Sequence, residues 1–308
     1  MARRRKGRPV NGWVIVDKPS GLTSTQTVGR VRRVFEARKI GHGGTLDPLA
    51  TGLLPIAMGE ATKTVPYLQE GRKSYRFTLR WGQATATDDT EGEVVAVSDQ
   101  RPAEAEIRAV LARFQGVIDQ VPPSFSAIKV AGRRAYDKAR AREDFQLDPR
   151  PVTIHRLELV ATEAPDLASF EVVSGKGAYM RALARDLGVA LGTFAHVVAL
   201  RRTAVGPFTE DHANSLETLE ALGHSAAASG ALLPIETALD DIPALALTET
   251  EANRLRCGQA VSMLARANRE RIRGFDNGAI VYATSGGEPV ALVRYEAGDI
   301  HPVRVLNL

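Results

Sequence analysis

Residues 75–81 (YRFTLRW) constrain the fold more than any other segment, because apolar and polar side chains alternate strictly along them. Tyr75, Phe77, Leu79 and Trp81 would point to one side of an extended chain, and the residues between them to the other side. This alternation is typical of a strand with one buried and one open face. The chain is therefore expected to contain a sheet that is covered on at least one side.

The remaining elements place this strand in a mixture of helices and strands. Further strands are predicted over residues 12–17, 93–97, 152–162, 169–174 and 195–201, and helices over residues 24–38, 103–115 and 178–191. Ser24 or Thr25 is the predicted N-cap of the first helix. Because the elements do not alternate as in βαβ units, we expect an α+β fold with a mixed, mostly antiparallel central sheet flanked by helices.

A change of composition divides the chain into a large and a small part. Ala, Ser, Gly and Pro accumulate between residues 230 and 245, and short strands are predicted beyond them over residues 279–284, 289–295 and 302–306. We expect a large domain over residues 11–240 and a small β-rich C-terminal domain over residues 241–308, whose core is marginal on its own. Residues 1–10 are expected to form a basic disordered tail that could also touch phosphates.

Charge and cysteine content restrict the class of protein only loosely. A net charge of +4 and a pI of about 9.3 allow an RNA partner without demanding one. The single cysteine, Cys257, excludes an internal disulfide and fits the cytoplasm. The sequence has no apolar run of about 18 residues, so no membrane-spanning helix is predicted. The basic N-terminus also lacks the apolar stretch of a secretory signal.

Residues 39–63 (KIGHGGTLDPLATGLLPIAMGEATK) carry the densest chemical signal. We expect a long loop over residues 41–59, and such a loop in a compact domain is usually functional. Within it Pro48 pushes Asp47 toward an extended conformation, among small residues that allow close approach of another group. Two interpretations of this carboxylate follow from the residues alone: it is displayed for chemistry, or it bonds only to its own turn.

This segment resembles the catalytic motif of the TruB-type pseudouridine synthases, which act on uridine 55 of tRNA. Gly43 departs from the family pattern, in which Thr is frequent at this place. Further segments are similar to other motifs of the family and occur in the same order: DKPSGLTS (17–24), SYRFTLRWGQATATDDTEG (74–92), QVPPSFSAIKVAGRRAYDKAR (120–140), GKGAYMRALARDLG (175–188) and AHVVALRRTAVGPF (195–208). The similarity covers most of residues 12–208 and extends only loosely to the C-terminal domain.

The resemblance implies a pseudouridine synthase core over residues 11–240 and a PUA-like, RNA-binding C-terminal domain. It implies isomerisation of uridine to pseudouridine by base flipping, cleavage of the glycosidic bond and rejoining of C5 to C1′. The catalytic role falls to Asp47, with Arg181 as its partner. Tyr75 would stack on the target base and take part in proton transfer, although its position on an apolar strand face also fits a core tyrosine. The sequence leaves open whether the carboxylate attacks the sugar or the base, or removes a proton from the sugar.

The resemblance also implies substrate contacts from Tyr179 and Leu200, and insertion of His42 into the space left by extruded nucleotides. From the residues themselves, a flap over about 120–150 is expected to grip RNA, because cations cluster there around Tyr136. A solvated helix face is the alternative for this cluster. The candidate RNA-binding residues are Lys129, Arg133, Arg134 and Lys138.

No cofactor and no metal are expected, since the histidines are scattered and no nucleotide-binding glycine pattern occurs. The expected partner is the T-arm stem-loop of tRNA, bound by a cytoplasmic monomer with no obligatory protein partner. Two alternatives stay open: a guide-RNA-dependent pseudouridine synthase subunit, and a non-catalytic RNA-binding or tRNA chaperone protein. A carboxylate glycosidase is disfavoured, because no second acid is paired with Asp47 in the sequence.

Overall fold

The structure is a computed structural model that describes residues 7–130, 132–141, 143–225 and 230–308. Its strands are β1 (Gly12–Lys18), β2 (Ile40–His42), β3 (Thr51–Met58), β4 (Lys73–Trp81), β5 (Gln83–Thr85), β6 (Val94–Val97), β7 (Gly116–Gln120), β8 (Lys129–Val130), β9 (Arg133–Arg134), β10 (Arg150–Ala164), β11 (Leu167–Ser174), β12 (Ala195–Val205), β13 (Phe208–Thr209), β14 (Ala213–Ser215), β15 (Ala244–Ala246), β16 (Val261–Ser262), β17 (Ile280–Ser285), β18 (Glu288–Glu296) and β19 (Asp299–Val305). Its α-helices are α1 (Ser24–Phe35), α2 (Val65–Glu70), α3 (Glu104–Val110), α4 (Ala135–Arg140), α5 (Met180–Ala190), α6 (Leu216–Leu222) and α7 (Glu249–Arg256). Within these ranges no helix is long and apolar enough to cross a membrane.

A large sheet forms the centre of the chain. Its strands run in the order β14-β1-β3-β12-β4-β11-β10-β7, and β2 and β13 pair with β3 and β12. The pairs β1–β14 and β3–β12 are parallel and the other neighbours are antiparallel. The alternating strand predicted over residues 75–81 lies inside this sheet as β4, with Phe77, Leu79 and Trp81 buried. The predicted mixed, mostly antiparallel sheet flanked by helices is confirmed.

The N-cap of helix α1 lies one residue before the earlier of the two N-caps predicted from the sequence. Thr23 is the N-cap: its hydroxyl accepts the backbone N–H of Gln26, whose side chain in turn accepts the N–H of Thr23. This reciprocal capping box leaves the hydroxyl of Ser24 free for another contact. The helix stops at Phe35 rather than at residue 38, because Glu36 adopts a left-handed backbone with φ 49°.

The predicted loop over residues 41–59 is wrong in extent, because both its ends are strands. Strand β2 pairs with β3, and β3 also pairs with β1 and β12, so the loop shrinks to residues 43–50. Seven of the eight residues of β3 are buried. Pro55 sits within this strand, and its carbonyl accepts the backbone N–H of Gly43. A short, closely held loop therefore carries Asp47.

The part of the expected basic tail nearest β1 runs beside the end of α1. The backbone N–H of Arg8 donates to the carbonyl of Glu36 at 2.7 Å, and the carbonyl of Arg8 accepts the backbone N–H of Arg38 at 3.0 Å. The charged residues Arg3, Arg4, Arg5 and Lys6 lie outside the described residues.

The C-terminal region forms a second sheet that shares apolar packing with the first. Its strands run in the order β15-β17-β18-β19-β16. Tyr282, Leu292 and Leu306 from this region belong to the same buried cluster as Trp13 and Phe208 from the large part of the chain. A boundary near residue 240 remains a prediction. The shared cluster indicates that the two parts stabilise one another by burying a common apolar surface.

We expect Leu306→Ala to destabilise the whole chain, because the side chain is 3 % exposed and packs in the shared cluster. A loss of about 2–5 kcal/mol in the free energy of unfolding is expected for such a buried leucine. Leu308→Ala is the matched control: this leucine is 59 % exposed, and the change should stay within about 0.5 kcal/mol. Denaturant unfolding measured by fluorescence checks this, and equal stabilities of the two variants would contradict the shared core.

Candidate active site

An open cleft of about 1300 Å³ lies beside the loop of residues 43–50. Segments distant in the sequence converge on it: β4, β12, the start of α5 and the flap all contribute lining residues. The structure brings together every residue that the resemblance assigned to catalysis or base contact. These cleft-lining residues are His42, Asp47, Tyr75, Tyr179, Arg181 and Leu200.

Asp47 faces Arg181 through a two-point ion pair. The guanidinium donates from Nε to Oδ2 at 2.8 Å and from Nη2 to Oδ1 at 3.1 Å. The side chain of Asp47 is 30 % exposed, whereas that of Arg181 is only 4 % exposed. The parallel hydrogen bonds fix the plane of the carboxylate, and its open side faces the cleft.

The remaining N–H groups of Arg181 are also satisfied. Nη1 donates to the carbonyl of Thr87 at 2.9 Å, and Nη2 donates to the carbonyl of Phe125 at 3.0 Å. The carboxylate of Asp89, itself 3 % exposed, lies 3.6 Å from Nη1. Because a buried charge is costly unless it is paired and hydrogen-bonded, these partners are what allow the guanidinium to be buried beneath Asp47.

Lys18 also holds the loop of residues 43–50 in place. Its side chain is fully buried, and Nζ donates to the carbonyls of Pro19, Leu22 and Pro48 at 3.0, 2.7 and 3.1 Å. Burial lowers the pKa of Lys18 to about 8, an effect that the nearby Asp47 carboxylate partly opposes. The bond to Pro48 fixes the carbonyl of the residue that follows the candidate catalytic residue.

Hydroxyl groups from the first residue of α1 and from the segment before it hold the same loop. The hydroxyl of Ser24 donates to the carbonyl of Leu46 at 3.0 Å and accepts its N–H at 2.8 Å. The hydroxyl of Ser20 donates to the carbonyl of Leu49 at 3.1 Å. Side chains thus replace the backbone partners that a strand or helix would have given this loop.

Arg202 holds the loop from the neighbouring strand. It is 2 % exposed and donates from Nε to the carbonyl of Leu53 at 2.8 Å and from Nη2 to that of Gly44 at 3.0 Å. Gly52 allows this approach: its φ is +93°, and a Cβ there would lie 2.2 Å from the backbone oxygen of Arg202. Only glycine fits such a position, so the register of β3 on β12 depends on it.

The walls of the cleft beside Asp47 are largely apolar or aromatic. Tyr75 extends from β4 opposite Arg202 on β12, and the half-buried ring lines the cleft. Leu200 is buried on β12 two residues before Arg202 and lines the same wall. Burial lowers the pKa of His42, and the charge of Arg202 lowers it further. The neutral imidazole is thereby favoured at the edge of the loop.

Tyr179 precedes α5 and supplies the opposite wall. It is the N-cap residue of the helix, with an extended backbone and without a side-chain capping bond. Burial raises the pKa of its phenol, and the charge of Asp47 raises it further. The phenol therefore stays protonated at neutral pH and can donate a hydrogen bond inside the cleft.

The predicted flap forms a short hairpin, β8 with β9, followed by α4. Tyr136 and Arg140 of α4 line the cleft, and the Arg140 guanidinium lies 5.1 Å from the centre of the Tyr136 ring. Phe125 packs edge-on against the same ring at 5.9 Å. The flap therefore closes one side of the site.

The predicted RNA-binding cations lie on this flap with different surroundings. Lys129 is exposed, and Arg133 and Lys138 both approach Glu143, at 2.6 and 3.5 Å. The side chain of Arg134 and the whole of Arg142 lie outside the described residues. Glu143 therefore offsets part of the charge of two of these cations, and all three lie on the flap outside the cleft lining.

Sequence reasoning did not single out three buried residues that build the site. Arg202 lies two residues after Leu200, on the same face of β12, but the strand predicted from the sequence ended at residue 201 and left it out. Asp89 lies in the motif segment 74–92, but its burial beside Arg181 depends on packing between distant segments. Gln120, which bonds the backbone of Tyr179, precedes two prolines and gave no signal of its own.

The sequence matches two family profiles that follow one another along the chain. The TruB family pseudouridylate synthase N-terminal domain matches residues 32–180, and the tRNA pseudouridylate synthase B C-terminal domain matches residues 181–240. Among curated proteins, tRNA pseudouridine synthase B of Rhodospirillum rubrum is 56 % identical over 308 residues, with 100 % of both chains covered. The protein of the same name from Caulobacter sp. is 53 % identical over 309 residues, again with 100 % of both chains covered.

Solved structures share the fold at lower identity. A Cbf5-Nop10-Gar1 complex contains a chain that is 25 % identical with a TM-score of 0.73, covering 96 % of this chain and 85 % of that one. An H/ACA RNP bound to a substrate RNA containing 2′-deoxyuridine contains one that is 23 % identical with a TM-score of 0.74, covering 100 % and 92 %. At 23 % identity, the match to the H/ACA RNP chain shows a shared fold only.

Arg202→Lys should loosen the loop that carries Asp47, because lysine has one terminal nitrogen and lacks the Nε donor. It cannot reproduce the bonds that Arg202 makes from two separate nitrogens to Leu53 and Gly44. We expect a loss of about 1–3 kcal/mol in the free energy of unfolding and faster amide exchange over residues 44–50. Arg201→Lys is the matched control, since Arg201 bonds the half-exposed Asp17 and should cost about 1 kcal/mol or less. Unchanged exchange of the loop in the Arg202 variant would contradict the role given to this side chain.

Proposed function

The chain belongs to the TruB family of pseudouridylate synthases, and we propose that it converts uridine to pseudouridine in tRNA, at position 55 of the T-arm loop. One observation carries the proposal: a carboxylate on a closely held loop, oriented by a buried arginine, faces a cleft that is large enough for a nucleotide. The names of the full-length relatives in Rhodospirillum rubrum and Caulobacter sp. support tRNA as the substrate.

The reaction needs no redox step and no energy input. The bond between N1 of uracil and C1′ of ribose breaks, the base turns, and a bond forms between C5 and C1′. C5 then loses its proton and N1 gains one, so the product is an isomer of the substrate. During this sequence the detached base and the reactive sugar must be kept from water. A cleft walled by Tyr75, Tyr179 and Leu200 provides such an enclosure once RNA covers its open side.

The carboxylate of Asp47 is the group proposed to start the reaction. Arg181 holds it from behind by two hydrogen bonds, so that its free side points to the cleft. Because Lys18 and Arg202 hold the loop through its carbonyl groups, little reorganisation is needed when substrate arrives. The geometry suits a nucleophile or a base acting on the sugar or ring of a bound uridine.

Access to a loop uridine requires that the nucleotide leave its stack. We assign Tyr75 and Leu200 to contacts with the everted base, since both line the cleft beside Asp47. Tyr179 would donate a hydrogen bond from the opposite wall. His42, neutral and next to the catalytic loop, would fill the space that the everted nucleotide leaves in the RNA.

The flap is proposed to hold the RNA backbone. Lys129, Arg133 and Lys138 would contact phosphates, and Tyr136 offers an aromatic surface at the cleft wall. Ion pairs with Glu143 hold two of these cations in place without RNA. We further propose that the chain acts as a monomer without protein partners, which activity of the isolated chain on a bare T-arm hairpin would support.

Asp47→Asn should abolish turnover and leave RNA binding nearly intact, because the carboxylate acts on the reacting nucleotide and does not grip the backbone. We expect tritium release from tRNA labelled at C5 of uridine to fall at least about 10³-fold, with the dissociation constant within about threefold of wild type.

Asp17→Asn is the control for that experiment. Asp17 is also held by two hydrogen bonds from one arginine, Arg201, but lies outside the cleft lining. This variant should release tritium at close to the wild-type rate. Turnover by the Asp47 variant, or loss of its RNA binding, would overturn the assignment, and a wild-type protein that released no tritium would overturn the enzyme itself.

A further inference from the structure

The side chain of Gln120 forms a paired contact with the backbone of one cleft residue. Its amide Nε2 donates to the carbonyl of Tyr179 at 3.1 Å, and its Oε1 accepts the N–H of Tyr179 at 2.8 Å. Gln120 is 1 % exposed and ends β7, the edge strand of the large sheet. A rigid sheet edge is thereby joined to the residue that opens α5.

The backbone of Tyr179 needs such a partner. Its extended conformation places its N–H outside the helix, and no side chain caps the helix at this position. The preceding segment offers little support, because Gly177 has a φ of +85° and no atom would lie within 4 Å of a Cβ placed there. The carbonyl of Tyr179 accepts the helical N–H of Leu183 at 3.0 Å. The amide of Gln120 therefore adds a second partner to this carbonyl and satisfies the N–H, which lies outside the helix.

A second bond joins the same segment to the next turn of the helix. Arg185 donates from Nη2 to the carbonyl of Val121 at 2.7 Å. Residues 120 and 121 thus hold the start of α5 at two points, on either side of Arg181. The aim of two cleft groups, the Tyr179 ring and the Arg181 guanidinium, depends on this placement.

We propose that Gln120 is a positioning residue for the reaction, and that it acts by fixing the start of α5 so that Tyr179 and Arg181 face the bound nucleotide and Asp47. This inference rests on the proposed function. It assigns Gln120 no contact with the substrate. The carboxamide of Gln120 places a donor and an acceptor side by side, and these match the carbonyl and the N–H of Tyr179.

Gln120→Glu tests the proposal because it preserves shape and removes one donor. Above its pKa the introduced carboxylate can still accept the N–H of Tyr179, but it repels the carbonyl that Gln120 bonds. When protonated, the group regains a donor and can form both bonds. Burial raises the pKa of a carboxyl group, so this recovery should fall in an accessible pH range.

The measurement is the single-turnover rate constant of uridine conversion in a T-arm hairpin, as a ratio of variant to wild type, between about pH 8.5 and about pH 5.5. We expect the variant to be about 10- to 100-fold slower at high pH, to recover at least about tenfold relative to wild type at low pH, and to bind the hairpin within about threefold of wild-type affinity throughout. A ratio that does not change with pH, or a parallel loss of RNA affinity, would overturn the positioning role.

Gln100→Glu is the matched control. The exposed amide of Gln100 donates to the carbonyl of Leu191 at 3.5 Å, just beyond the other end of α5. Its ratio should stay near one at all pH values. Gln120→Leu covers the case in which the charged variant fails to fold: slow conversion at every pH with retained RNA affinity supports the proposal, and a wild-type rate overturns it. Absence of turnover in the wild type would instead refute the proposed function.

Discussion

The guanidinium of Arg181 is almost inaccessible to solvent, and the architecture of the site follows from the need to satisfy it. Its three nitrogens bond the carboxylate of Asp47 and the carbonyls of Thr87 and Phe125, with Asp89 close by. Removing one partner of a buried ion pair leaves an uncompensated charge in the interior, which strongly destabilises the fold. The ion pair therefore ties together four segments, each of which contributes to the cleft.

Hydrogen bonds hold one side of the Asp47–Arg181 pair, and the other side is open to the cleft. Below the carboxylate, Lys18 and Arg202 are buried and donate to carbonyls of the loop. Above it lies an open cleft that the flap partly walls, through Tyr136 and Arg140. An arrangement of this kind fixes the carboxylate of Asp47 on one side and leaves its other side open to the cleft.

Local sequence patterns predicted much of the fold. The alternation that begins at Tyr75 placed β4 correctly, and the three strands predicted in the C-terminal region correspond to β17, β18 and β19. The short strands β15 and β16 were not predicted. The extent of the loop around Asp47 was misjudged, because β3 contains Gly52 and Pro55, which are usual in turns. Neighbouring strands on both sides stabilise β3 despite them, and such tertiary support has no signature within a short window.

The motif resemblance predicted the residues that line the cleft but not those that hold them. Asp47 and Arg181 could be identified because each lies in a motif that resembles one of the family. Gln120 and Arg202 act through bonds to backbone groups of distant segments, and a backbone partner leaves no complementary residue in the sequence to find. Hydrogen bonds of this kind can be identified only in the folded structure.

Mapping of pseudouridine along a tRNA transcript, nucleotide by nucleotide, after incubation with the purified chain, tests the central claim most directly. The claim is that one fixed carboxylate meets one everted uridine in an enclosed cleft. The account predicts complete conversion at position 55 of the T loop and at no other uridine. Conversion scattered over several uridines, or none under conditions in which the tRNA is bound, would contradict it.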